Sequence, residues 1–338
     1  GNPTASTDSP FDDPAGFVFG SAGDTNVIKC GSYVGSGSAG LEVNVGWEPS
    51  WILLKAATGS AKNWCLLDSM RGIVSDGNDN TLFPNESDAE QTGFDRIRVT
   101  PTGFQIDAVG GYSDSGVTYI YTCIRRSDGY VGKPPSLGTD VFAVVAGTSN
   151  NDIPTFVSGH PTDFTLFKLF AGSGSWYSQA RLTGTGYMIP NNTTDETASA
   201  NNTWDFQNGY YKATGDWSAY LNWMWRRHAG FDVVCYEGTN INNLQVPHGL
   251  NAVPEMMWIK NRDASENWAV YHKGLNGGTN PQDYVIRLNS TAGEFNHNEW
   301  WNDTAPTSTH FTLGITGETN GFEMSMMAML FASTKVSK

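Results

Sequence analysis

Trp51-Ile-Leu-Leu-Lys55, Ala57-Thr-Gly-Ser-Ala61 and Trp64-Cys-Leu-Leu67 read as a strand, a small-residue turn and a second strand. Neither apolar run alternates with polar residues, so the pair predicts a hairpin buried on both faces. The surrounding landmarks recur. Pro49, Trp51, Lys55, Trp64, Asn85 and Glu90 have counterparts in Pro161, Phe167, Lys168, Trp176, Asn191 and Glu196, and again in Pro254, Trp258, Lys260, Trp268, Asn289 and Glu294. Each set closes on an aromatic or apolar run, at Tyr119–Arg126, Tyr220–Arg227 and Phe322–Phe331. A cassette of about a hundred residues written three times sets the domain organisation and tells against one asymmetric active site.

In the first cassette Asn26–Val34 and Leu41–Val45 alternate apolar and polar positions, and Gly103–Ile106 and Val117–Ile124 add two more strands. The third repeats this with Phe231–Tyr236, Leu244–Val246, Met256–Lys260, Trp268–His272, Tyr284–Leu288, Phe311–Leu313 and Phe322–Phe331. The second diverges most: Thr155–Ser158 and Phe164–Phe170 replace the Trp-led strand. Short strands at regular turn spacing predict an all-β chain of three tandem, related β-sandwich or jelly-roll-like cassettes, at residues 25–128, 139–229 and 230–333. Gly1–Asp24, rich in Pro, Ser, Thr, Asp and Gly, reads as an arm or linker. Asp128–Gly138, with Lys133-Pro-Pro135, reads as a spacer. Only His228-Ala-Gly230 separates the second and third cassettes, which are therefore expected to pack together.

Composition agrees. Of 338 residues only 16% are charged, while 38 are Gly and 12 are Trp, a balance of turn formers and aromatics that favours strands over helices. A net charge of -14 with no basic stripe excludes nucleic acid as a partner. The pairs Arg125-Arg126 and Arg226-Arg227 end equivalent strands and read as structural. No apolar run is long enough for a membrane span. Cys30, Cys65, Cys123 and Cys235 lack zinc spacing and define no disulfide framework.

Motifs that could carry chemistry are few. Glu86-Ser-Asp-Ala-Glu90 spells the E-x-D-x-E pattern of strand-borne carboxylates in retaining glycoside hydrolases, making Glu86 and Glu90 the catalytic candidates. The inner residues do not recur at Asn191–Glu196 or Asn289–Glu294, where an Asn opening a turn and a Glu capping it is the plainer reading. Asp76, Asn78 and Asp79 are candidate oxygen ligands for calcium, against the reading of an ordinary Asn/Asp/Gly turn; no other cofactor is indicated. His160, His228, His248, His272, His297 and His310 form no metal or triad motif. Trp176, Tyr210, Tyr211, Trp217, Trp300 and Trp301 are the candidate ligand-binding aromatics, since exposed rings hold sugars or make interface anchors. Their competing assignment is core or cassette contact.

Several longer stretches carry a resemblance. Val27-Ile-Lys-Cys-Gly-Ser-Tyr33, Gly46-Trp-Glu-Pro-Ser-Trp-Ile52, Asp68-Ser-Met-Arg-Gly72, Trp268-Ala-Val-Tyr-His272 and Trp301-Asn-Asp-Thr-Ala-Pro306 resemble a domain of unassigned function found in virion proteins of marine tailed phages. The resemblance implies a concanavalin-like sandwich on a tail fibre or other virion appendage, and brings no catalytic residues. The expectation is therefore a non-enzymatic virion protein, a tail-fibre or receptor-binding component at the particle surface. Its partners would be other virion proteins, copies of itself and a host surface glycan. A capsid decoration or filament subunit is one alternative, and a depolymerase using Glu86 and Glu90 another.

Overall fold

The computed structural model describes residues 28–59, 61–75, 77–107, 111–126, 135–149, 152–199, 202–204, 206–212 and 215–334. The chain is nearly all β and divides into two compact units, Gly1–Tyr130 and Val131–Lys338. The division falls within the Asp128–Gly138 spacer, and two of the three cassettes share the second unit.

The first unit holds β1 (Ile28–Val34), β2 (Leu41–Asn44), β3 (Pro49–Ala56), β4 (Cys65–Asp68), β5 (Asp79–Thr81), β6 (Gln91–Phe94), β7 (Ile97–Thr100), β8 (Gly103–Ile106) and β9 (Thr118–Arg125). Its main sheet runs β1-β9-β3-β4, its second β2-β8-β7, and β5 pairs with β6. The quoted hairpin is present, with Trp51 opposite Asp68 and Leu54 opposite Cys65. Because side chains alternate along a strand, Ile52 and Leu54 point inward with Cys65, Leu67, Tyr119 and Cys123, and meet Val43, Ile97, Phe104 and Ile106 from the second sheet. Each fully buried aliphatic side chain here contributes about 2 kcal/mol. The opposite phase, Trp51, Leu53 and Lys55, is only half-buried. Burial of the hairpin on both faces is thus not met in this unit.

The second unit continues with β10 (Phe142–Ala146), β11 (Phe156–Val157), β12 (Phe164–Leu169), β13 (Trp176–Ala180), β14 (Asn202–Thr203), β15 (Gly209–Lys212) and β16 (Tyr220–Trp225). There follow β17 (Phe231–Glu237), β18 (Leu244–Pro247), β19 (Met256–Asn261), β20 (Ala269–His272), β21 (Tyr284–Arg287), β22 (Phe295–Asn296), β23 (His310–Leu313) and β24 (Ser325–Phe331). Its two large sheets run β10-β16-β12-β13 and β17-β24-β19-β20-β21-β22, backed by β11-β15-β14 and β18-β23. In all three cassettes the main sheet thus begins first strand, closing strand, then the two hairpin strands. The register agrees as well: Ile28, Ile124 and Trp51 align, as do Phe142, Trp225 and Phe164, and Phe231, Phe331 and Met256.

The recurring polar landmarks are pins of the hairpin. The Lys ammonium reaches the backbone carbonyl two residues before the Trp in every copy: Lys55 to Lys62, Lys168 to Gly174 at 2.6 Å, and Lys260 to Glu266 at 3.0 Å. The Asn side-chain oxygen accepts the Trp backbone N–H, at 2.7 Å for Asn85 and Trp64, and at 2.9 Å for both Asn191 with Trp176 and Asn289 with Trp268. These pins correct the aromatic landmark in the second cassette. Phe167 directly precedes its Lys, so strand alternation turns it inward, away from the face shown by Trp51 and Trp258; Phe164 and Leu166 occupy that face instead. Asn289→Ala is expected to cost about 2 kcal/mol, because it strips a part-buried N–H of its acceptor. Asn85→Ala, at a more exposed site, should cost about half as much in the same chemical-denaturation measurement.

The second and third cassettes share a core, as their short linker predicts. Phe164, Ala180 and Met188 of the second close over Phe231, Val233, Trp268, Met327 and Met329 on the outer face of the third cassette's main sheet. Polar contacts fix the register of this junction. Trp268 Nε1 donates to the Ile189 carbonyl at 3.2 Å, and Lys260 Nζ donates to Thr193 at 3.2 Å. Arg262 Nε meets Glu196 Oε2 at 2.6 Å.

Candidate functional site

The acidic motif does not lie along a strand. Glu86 and Glu90 occupy the exposed irregular stretch between β5 and β6, so no strand alternation aims both at one substrate. Asn85 Nδ2 donates to Glu86 Oε1 at 3.1 Å, and Glu90 Oε1 takes the Arg71 guanidinium at 2.9 Å, beside the Arg71–Asp68 pair at 2.6 Å. These are loop ties. Of the candidate calcium ligands, Asp76 lies outside the described residues and Asn78 is exposed. Asp79 is wholly buried, and its carboxylate accepts N–H groups from Val74 at 3.1 Å, Arg96 at 2.8 Å and Ile97 at 2.9 Å. Its two oxygens are committed to backbone N–H groups. Burial pushes this carboxyl up to about 7 against the pull of those amides. Among the described residues no three His, Cys, Asp or Glu side chains gather as a metal-binding group.

The candidate aromatics separate into interior and surface. Tyr210 is fully buried, stacked near Phe156 with its hydroxyl on Gln179. Trp300 and Trp301 are core side chains of the third cassette, donating to Glu318 at 2.8 Å and to the Tyr284 carbonyl at 2.9 Å. These three offer no face to a sugar, because each buried ring finds its polar partner inside the fold. Trp217 and Tyr211 are half-buried, the former packed on Phe156, Phe167 and Tyr220 with the Lys212 ammonium 4.9 Å from its ring. Burial lowers that ammonium to about 8. Trp176 keeps surface access, its ring tilted against Trp223 at 5.3 Å.

The remaining ionisable interior is structural. Lys260 is completely buried with three carbonyl acceptors, and desolvation lowers it to about 8. Glu318, also buried, takes Arg287 at 2.6 Å, Trp300 at 2.8 Å and Asn267 at 2.8 Å. All four cysteines are free; burial raises the Cys65 and Cys123 thiols to about 12, which makes them inert packing groups. An open polar cleft of about 340 Å³ in the third cassette is lined by Asp283, Asn296, His297, Asn298 and Asp303. Sequence spacing gave no sign of it, because a turn, a two-residue strand and a loop bring these residues together.

The other feature missed from sequence is an open sheet face. In the second cassette Phe142, Val144, Leu221, Trp223, Leu166 and Trp176 share one side of the β10-β16-β12-β13 sheet. Phe142 is 38% and Val144 45% exposed. The matching side of the first cassette carries Ile28, 57% exposed, and Ile120, 41% exposed, with half-buried Leu53. The third cassette's counterpart is the face closed by the junction. The available signal was apolar occupancy of both alternating phases in β3 and β12.

These observations define a class: an all-β protein of repeated sandwich cassettes, whose recurring polar residues are scaffold pins. The chain belongs to the family described as a domain of unknown function, DUF7483, whose model matches residues 18–127 and 222–336. The two segments fall on the first and third cassettes and leave most of the divergent second unmatched. Among curated proteins nothing matches.

Proposed function

We propose that this chain is a non-catalytic structural protein of a tailed-phage virion, a tail-fibre or appendage component whose working parts are cassette faces. The observation that carries this reading is the contrast between equivalent sheet faces, closed by a neighbouring cassette in the third, open in the first, and open in the second along the Phe142–Val144 edge that the junction leaves uncovered. Repetition of Lys and Asn pins, together with a non-recurring acidic motif tied into a loop, supports a scaffold over a depolymerase. Among the described residues no helix is long and apolar enough to cross a membrane. Mass spectrometry of gradient-purified particles from a phage encoding the chain is expected to find it in stoichiometric amounts, with antibody labelling on appendages. Its absence from particles removes the proposal. Contact with a host glycan is a second reading, favoured by the polar cleft, where Asp, Asn and His can hydrogen-bond sugar hydroxyls. Asp303→Ala is expected to abolish any glycan-array signal.

A further inference from the structure

Taking the structural-subunit reading as its basis, we propose that the uncovered part of the outer face of the second cassette's main sheet, centred on Phe142, Val144, Trp223 and Trp176, docks an open cassette face of a second copy of this chain. The same face in the third cassette is already closed by protein from this chain. Phe231, Val233, Met327 and Met329 occupy the register positions of Phe142, Val144, Leu221 and Trp223, and each is at most 2% exposed beneath the second cassette. The fold therefore contains one worked example of what this face accepts.

The open face is also continuous with that junction. Phe142 lies 5.0 Å from Trp225, which lies 5.6 Å from Phe164 and 5.8 Å from Phe231, so one run of rings passes from the open end into the closed core. Along β12 both alternating phases are occupied by apolar side chains, the pattern of a strand covered on two sides. Charge narrows the occupant. At the register positions of this face Lys168 is the only ionisable side chain, and its ammonium is bound to the Gly174 carbonyl at 2.6 Å. A face whose one charge is an ammonium held at its margin by a carbonyl selects a largely apolar counterpart, and Ile28, Ile120 and Leu53 of another copy present one. With one open face on each of two cassettes, such contacts are heterologous and generate rings or filaments.

Sedimentation velocity of the full chain tests this. Self-association is expected at roughly 10–50 µM, strengthening with salt as repulsion between copies of net charge -14 is screened. Val144→Glu, at an exposed edge-strand position, should raise the dissociation constant at least about tenfold with an unchanged circular-dichroism melt, whereas Ser308→Glu on the third cassette should not. A wild-type chain that stays monomeric over this range overturns the proposal. So does an assembly indifferent to both Val144→Glu and Trp176→Glu. A monomer that nevertheless co-purifies with particles would sink the docking face alone, whereas absence from particles would remove the structural reading beneath it.

Discussion

Trp268→Ala is expected to lower the stability of the second unit by about 4 kcal/mol, the largest effect of any single truncation at the three equivalent Trp positions. Trp268 is fully buried among Met188, Val233, Met327 and Met329, and its indole N–H is bound by the Ile189 carbonyl. Truncation leaves a large cavity at the cassette junction and strands a part-buried carbonyl. Trp64 and Trp176 make the same backbone contact to an Asn but lie half-buried on open faces, so Trp64→Ala and Trp176→Ala should each cost about 1–2 kcal/mol. Urea unfolding followed in the second unit distinguishes the cases. Equal costs at all three positions would mean that the junction contributes little, and that the contrast between closed and open faces has no energetic meaning.

Acidification is expected to move the two units in opposite directions. All six histidines belong to the second unit. Burial holds His228 and His248 down at about 4, and lowers His160 as well. In His228 and His248 the Nδ1 atom accepts a backbone N–H, from Gly230 at 3.0 Å and Leu250 at 3.3 Å, so a proton there would oppose a donor to a donor. Their folded values lie below the ordinary value of about 6.5, so the stability they confer is present above that pH and lost as pH falls toward 4. Allowing for partial solvent access, each contributes about 2 kcal/mol over that interval. In the first unit Asp79 has the opposite sign. Its folded value, raised to about 7, favours the protonated form, so its contribution is full near pH 4 and lost as pH rises through 7. Hydrogen exchange resolved by unit at pH 7 and pH 4.5 should show the second unit loosening and the first tightening. A uniform response of both units would remove the histidine and Asp79 account together.

Much of the scaffold was legible because strands announce themselves through local pattern. Gly103–Ile106 falls where its apolar alternation places it, and the third cassette's strands differ from their sequence bounds by a few residues at each end. The closing run of that cassette is the exception: Phe322 is 61% exposed and the strand begins at Ser325, since an aromatic next to Gly321 can belong to a turn as readily as to a sheet. The site candidates were less legible. Nothing in the spelling of Trp300-Trp301 shows that Glu318 and the Tyr284 carbonyl are waiting inside to satisfy two indole N–H groups. Nothing in Glu86–Glu90 shows that Arg71, nineteen residues before Glu90, will claim that carboxylate.

By itself the sequence determined that the chain is all β, that one cassette recurs three times, and that Lys, Trp and Asn recur for a structural reason. Periodicity and repetition are properties of neighbours along the chain, and they survive without knowledge of the fold. Only the tertiary structure decided which of three equivalent sheet faces is closed. That outcome depends on the divergent Met188–Glu196 stretch lying over the third cassette, a long-range contact set by the short His228–Gly230 link and by Glu196 meeting Arg262. The same aromatic landmark is therefore interior at Trp268 and surface at Trp64 and Trp176, because burial is conferred by what packs on top and not by the residue itself.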